Sequence, residues 1–391
     1  MSAAQAPRLD PATLSRARVA QTDGPSDEER LLAAEEARIG QWRQVWRRFR
    51  RSRLGMTGLA ILVVLYGAVV FAEFLAPYHY TTSFTEYVHA PPQRLHLGGA
   101  GLGLRPYVYD LTRGYAAQGL LRVYSPDTAK PIAIHFLVPG EPYRLWGLIP
   151  ARRHLFGSPD GPVALLGFDR MGRDLLSRTI YGARISMTIG LVGVVLSIVL
   201  GAVLGTVSGY YGGTIDHLIQ RFIELLASFP SIPLWMALAA ALPPEWSSVK
   251  VYFGITVILS VLGWGGLARQ LRGIVLAYRE QDFVMAARCA GASDWHIISR
   301  HLVPGCTSHI LVIATLSVPG MILGETALSF LGLGIRAPMT SWGVLLEEAQ
   351  HIRVLTQYPW LVLPAVPVLL AVLGFNFVGD ALRDAADPHG R

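Results

Sequence analysis

Only two lysines, Lys130 and Lys250, occur among the 391 residues, and they bear on one kind of chemistry at once. A phosphate-binding P-loop needs Lys followed by Ser or Thr behind a glycine-rich turn. Lys130 precedes Pro131 and Lys250 precedes Val251, which excludes a nucleotide site of that type. Cys289, His296, His301, Cys306 and His309 crowd one stretch, but their spacing matches no compact zinc ligand set, and no metal is expected. Gly332, Gly334 and Ala337 fit a dinucleotide fingerprint in letters only, with no strand before them and no acidic partner after a helix. Asp169, Asp174, Glu325 and Glu347 form no nucleophile and base arrangement and read as loop-positioning or helix-capping groups. The chain is not expected to perform covalent chemistry of its own.

The elements that carry these residues are written for lipid. Hydrophobic residues make up 52% and charged residues 16%, with a mean hydropathy of +0.39, well outside ordinary soluble composition. The formal charge of +7 then reflects basic residues gathered on the cytoplasmic face rather than a nucleic-acid surface. Residues 1 to 25 lack periodicity and read as a disordered tail, and no cleavable signal peptide is visible, so the first span is expected to act as its own insertion signal. Ser26 and Glu29 have the spacing of a capping box. Beyond it Trp42, Trp46 and Phe49 recur at i, i+4, i+7 among Arg43, Arg47, Arg48, Arg50, Arg51 and Arg53, the pattern of an interfacial amphipathic helix.

Six apolar runs follow: 57–74, 185–207, 222–242, 251–267, 310–323 and 360–378. The fourth and fifth are short and must borrow from their flanks to cross roughly 30 Å of hydrocarbon. The fold class expected is an all-α polytopic membrane protein of about six spans, with both termini cytoplasmic because the Arg cluster precedes the first run. The organisation reads as a tail and interfacial helix over 1–56, a first span over 57–76, an extracytoplasmic insertion over 77–180 and a five-helix domain over 181–391. Stretches such as PYVYDL and PIAIHFLV, punctuated by Pro and Gly, make the insertion a small β-containing unit.

Several spans carry residues that disturb or tighten helices. Gly201, Gly205 and Gly209 form a smooth face for another helix, one expected to need neighbours beyond this chain. Pro230 with Pro233, Pro319, and Pro364 with Pro367 interrupt the third, fifth and sixth runs, as suits a transport pathway whose freed backbone groups find partners in a lined cavity. Glu325 stands at a span end, where it can face such a pathway or cap a helix.

The most patterned segment is polar. Residues 280–305 read EQDFVMAARCAGASDWHIISRHLVPG. Helix formers run through Ala286 and Ala287, Gly291 permits a turn, and Ser293 or Asp294 can cap a second short helix. Trp295, Ile298 and Leu302 lie at i, i+3, i+7 on it, an apolar stripe that needs a partner groove and that Pro304 is expected to stop.

This loop resembles the cytoplasmic signature of ABC importer permeases, in which Glu-Ala-Ala is followed by a spaced Gly and later by Ile, Leu and Pro. Ala286, Ala287, Gly291, Ile297 and Pro304 match, while the family's Glu position is held by Met285. GFDRMGRDLLSRTIYGARIS (167–186), YYGGTIDHLIQRFIELLASFP (210–230), GETALSFLGLG with SWG (324–343) and NFVGDALRDAADP (376–388) are similar to stretches of the second permease of the dipeptide, oligopeptide and nickel group, in the same order.

The resemblance implies a coupling helix seated in a separate ATPase subunit, through Ala286, Ala287, Gly291, Trp295, Ile297, Ile298, Leu302 and Pro304, with Glu325, Pro230 and Pro319 as pathway candidates. It implies a homologous partner permease, two ATP-binding subunits and an extracytoplasmic solute-binding protein. ATP and Mg would sit on the ATPase partners, with no cofactor on this chain. Peptides, nickel chelates and sugars all remain open as cargo. The rival classes are an ion-coupled secondary transporter, which needs titratable groups at mid-span, and a membrane enzyme, which needs a convergent catalytic set. The runs offer neither.

Overall fold

The computed structural model describes residues 41–99, 103–115 and 122–386. The cap expected at Ser26, the Trp42 side chain and the end of the C-terminal resemblance lie outside what is described. Helix α1 (Gln41–Arg51) runs to a break at Ser52, whose hydroxyl accepts the Gly55 N–H at 3.1 Å and so starts α2 (Arg53–Val70), the first span. The span therefore begins before the 57 expected. Trp46 is exposed and stacks on Phe49 at 5.6 Å, but Phe49 itself is buried with Ala381 and Ala385 rather than turned to lipid. The stripe of α1 is thus shared between the outside and the chain's own last helix. A short helix α3 (Ala72–Leu75) ends this arm.

The insertion contains β1 (His96–Leu97), β2 (Pro106–Tyr115), β3 (Arg122–Ala133), β4 (His135–Leu145) and β5 (Ile149–Gly157). They form an antiparallel sheet β1-β2-β3 and a separate β4-β5 hairpin. Both expected stretches are strands, the second divided between β3 and β4. Val108, Ile132, Ile134 and Val163 make a small core on one side of these half-wet strands, and Leu111 and Tyr124 pack into a second around Phe168.

Asp174 then caps α4 (Leu175–Tyr211), its carboxylate accepting the Ser177 N–H of the first turn at 2.7 Å. This helix is 37 residues long and starts before the 181 boundary. After Gly212, at φ 66, come α5 (Gly213–Ala227) and α6 (Ser231–Ala240). These two are bent by 86° at the break, so the third apolar run is a broken segment. The reason is local, since Pro230 has no N–H to give the preceding turn and disfavours helix in the residue before it. Helices α7 (Ser248–Gly263) and α8 (Gly265–Tyr278) together form a 31-residue span. After the polar loop described below come α11 (Thr307–Phe330), the short α12 (Trp342–Glu347) and α13 (Ile352–Gln357), and α14 (Ala365–Ala386). The two short helices between, α9 (Asp282–Cys289) and α10 (Asp294–Ile297), belong to the loop.

Among the described residues five helices are long and apolar enough to cross a membrane, or six with the bent pair counted as one. The short fourth and fifth runs have indeed taken residues from their flanks. Helix α4 is central, packing against α2, α7, α8 and α11, while α14 lies between α2 and α11. Its glycine face does not await a second chain. A Cβ at Gly201 would lie 3.0 Å from the Leu267 Cβ, at Gly205 2.8 Å from the Ala268 Cα, and at Gly209 2.9 Å from the Val275 Cβ, so α8 of the same chain fills it at backbone distance.

Candidate coupling loop and its anchorage

Loop geometry follows from a single left-handed residue. Helix α9 ends in a Schellman turn, with Gly291 N–H bonded to Arg288 O at 2.9 Å, Ala292 N–H to Ala287 O at 3.0 Å, and Gly291 at φ 80. Only glycine takes that φ without strain, and open space surrounds the position, so the requirement is one of backbone alone. Ser293 caps α10 by accepting the His296 N–H at 3.3 Å. Asp294, the alternative cap, instead accepts the Tyr210 hydroxyl at 2.6 Å.

The expected outward stripe is divided. Ile297, Ile298 and Leu302 are buried in one cluster with Tyr210, Leu271, Val275 and Val284, and Trp295 alone of the stripe stands out, 75% exposed. Ile298 and Leu302 thus hold the loop to α4 and α8 and present nothing to a partner. Pro304 does not stop the helix either. Residues 298–302 form a π-turn in which Val303 N–H reaches Ile298 O, and the widened turn carries the helical path past the proline into Val303–Gly305 and on to α11. Ala286, Gly291, Met285 and Pro304 are exposed and Ala287 half-buried, and the larger exposed side chains of the loop include Phe283, Met285, Arg288 and Trp295. Cys289 is exposed and Cys306 buried, and burial pushes the Cys306 thiol up to about 11.

The clamp that holds this loop was not singled out from the sequence. Besides the Asp294 bond, the Arg288 guanidinium lies 5.2 Å from the Tyr210 ring centre, and Arg279 Nη1 donates to Gly209 O at 3.3 Å. One turn away Asp216 of α5 accepts two bonds from Arg272 of α8, at 2.5 and 2.6 Å, and one from Ser208 of α4 at 2.5 Å. The available signal was the YYGGTID run, read for its likeness and not for what its tyrosine and aspartate reach.

The pathway candidates are separate from this region. Glu325 is 0% exposed and accepts Ser186 at 2.8 Å and Ser329 at 2.7 Å, within a knot that also takes in Ser341 and the Trp342 N–H. It lines no open channel in this chain and is not a helix cap; it ties α4, α11 and α12 together. Pro319 is buried inside α11 and Pro230 marks the bend. Asp169 positions the loop before α4, taking Arg173 at 2.7 Å, Arg178 and two backbone N–H groups. Burial raises the Asp174 carboxyl to about 6 despite its cap bonds. At that end a cleft of about 470 Å³ opens between the insertion and the spans, lined by Tyr143, Arg144, Tyr181, Thr340 and the Glu73–Arg184 pair, itself held by two 2.8 Å bonds.

The described chain is thus a bundle of long apolar helices with a short, clamped helix pair at one end. The comparisons make this specific: residues 177–391 match the model of the binding-protein-dependent transport system inner membrane component, and the chain belongs to that family. Residues 40–92 match the N-terminal membrane domain of oligopeptide transport permease C. Similar relatives include an oligopeptide transport system permease protein, OppC, of Bacillus subtilis, 32% identical over 90% of both chains. A Haemophilus influenzae OppC is 41% identical over 58% of this chain and 70% of its own. A glutathione transport system permease protein, GsiD, of Escherichia coli is 32% identical over 89% of this chain and 90% of its own. The protein is therefore a multi-pass membrane permease of a binding-protein-dependent importer, and the ion-coupled alternative finds no support.

Proposed function

We propose that this chain is the second permease of an ATP-driven importer of short peptides, and that its loop 280–305 is the element through which partner ATPases drive it. The observation that carries the reading is Trp295, at 75% the most exposed large apolar side chain of the loop, set beside Ile297, Ile298 and Leu302, which are buried against α4 and α8. A rigid backing with one protruding aromatic anchor suits a groove on another protein. A homologous permease supplies the other half of the pathway, two ATP-binding subunits bind ATP and Mg, and a solute-binding protein delivers cargo. This chain binds no nucleotide, consistent with its lysines. Its place is the cytoplasmic membrane of a bacterium, with both termini and the loop in the cytoplasm and the insertion outside. Peptide cargo is favoured because the relatives are named for oligopeptides and for glutathione, itself a short peptide.

The test is ATP hydrolysis by the reconstituted complex with and without loaded binding protein. Trp295→Ala should weaken ATPase binding by roughly 2–4 kcal/mol, the range of a buried aromatic anchor, and lower stimulated hydrolysis. Unchanged stimulation would mean that this loop is not the transmission element.

A further inference from the structure

The β4-β5 hairpin ends in a turn whose composition does not suit water. Leu145, Trp146, Gly147, Leu148 and Ile149 follow one another, with Trp146 51%, Leu148 79% and Ile149 52% exposed. Trp146 and Gly147 are both left-handed, at φ 55 and 73, and Leu148 N–H bonds to Leu145 O at 3.1 Å, the arrangement of a type I′ turn. Such turns favour Asn or Gly at the first left-handed position, and a bulky Trp there is strained.

Where this turn sits follows from two contacts along the first membrane arm. Near the middle of the hairpin His154 Nδ1 lies 2.6 Å from Ala76 O, and at the tip Trp146 Nε1 donates to Val70 O at 2.8 Å, its ring 6.4 Å from that of Phe71. Val70 and Ala76 are six positions apart along this arm, roughly 9 Å at a helical rise. The hairpin thus descends beside the arm toward the bilayer, and its tip meets the last residue of the span. Val63, Val64, Val70 and Phe71 on that span are exposed and form the apolar surface that the tip continues. Just above the tip Arg144 and Arg152 are exposed, at the height where lipid phosphates would lie.

We propose that the Trp146–Ile149 turn is seated in the membrane, in the headgroup and upper acyl layer of the leaflet where Val70 emerges, with Arg144 and Arg152 on lipid phosphates. Trp146 sits as interfacial tryptophans do, with its ring in the apolar boundary and its N–H bonded, here to the span's own last carbonyl. The inference rests on the membrane embedding of α2 and not on the coupling role of loop 280–305. The hairpin's contact with α3 and this lipid anchor then act on the same two strands.

The experiment is fluorescence quenching on the full chain in vesicles of phosphatidylcholine and phosphatidylglycerol. The carrier variant is Cys289→Ser, with buried Cys306 left in place. Leu148→Cys in that background, labelled with an environment-sensitive probe, is compared with Thr128→Cys, an exposed position on β3. The expected result is a blue-shifted probe at 148 that lipids brominated near the headgroup quench and aqueous iodide does not, with the opposite at 128. Quenching at 148 by iodide and not by brominated lipid would place the turn in water and overturn the proposal. Protection from both quenchers would place it against protein and overturn it equally.

Discussion

At position 285 the chain carries a thioether where the permease signature it resembles has a carboxylate, and Met285 stands exposed on the loop that also carries Trp295. Since no described neighbour is built around a charge there, Met285→Glu should leave assembly with the ATPase within about 0.5 kcal/mol, the usual range for surface substitutions; a pull-down titration measures it. Gly291 behaves differently. At φ 80 with open space around it, Gly291→Val costs roughly 1–3 kcal/mol through backbone strain alone and misaims α10, so stimulated hydrolysis should fall while the complex still assembles. Gly291→Asn, which tolerates the left-handed region, should recover most of the coupling. A third residue gives a pH dependence. The Asp174 carboxyl titrates near 6 in the fold, above its ordinary 3.8, so the native state holds a proton that the unfolded chain has lost. Stability should therefore decline as pH rises from about 4 to 6, by at most about 3 kcal/mol, and level off above. Asp174→Asn keeps a capping oxygen and should flatten that slope in a thermal melt. The turn at Gly291 and the cap at Asp174 were legible in the sequence because each depends on local chemistry. The buried state of Ile298 and Leu302 was not, because a three-four spacing identifies an apolar face without saying which surface covers it.

The same limit operates between elements. Repeated glycines in α4 announced a close helix neighbour, and the neighbour is α8, sixty-odd residues later in the chain, a pairing that no local period encodes. The contact is testable by contrast. Gly205→Ala would put a methyl 2.5 Å from the Ala268 carbonyl oxygen and should destabilise the fold by roughly 1–3 kcal/mol, whereas Gly273→Ala on α8, with nothing within 4 Å, should be neutral or mildly stabilising. Apparent melting temperatures of the two purified variants decide it, and equal shifts would remove the packing account. Proline was only half legible. Pro230 does break its run, through 86°, while Pro304 is absorbed by a π-turn and Pro319 by a buried stretch of α11. What proline does depends on whether neighbouring backbone can adjust, and that is a property of the packed structure.

For the molecule as a whole, the property open to direct test is its orientation in the membrane. With the Arg cluster before α2 cytoplasmic, a cysteine replacing exposed Ser125 should react with an impermeant reagent applied from outside intact cells, and labelling only after lysis would invert the topology. The apolar runs made the bundle legible in outline, and the insertion's strands made its β character legible, but the hairpin's descent along the first span depends on contacts between His154 and Ala76 and between Trp146 and Val70 that no spacing announces. Helix α4 is a 37-residue rod, roughly 55 Å long, braced along its glycine side and gripped by loop 280–305 at its Tyr210 end. It is in effect a lever whose short input arm lies in the clamp. A tilt of about one degree about Tyr210 would carry the Leu175 end through about 1 Å, enough to part a hydrogen bond at the Asp169, Arg178 and Thr340 contacts, with no joint needed anywhere along the shaft.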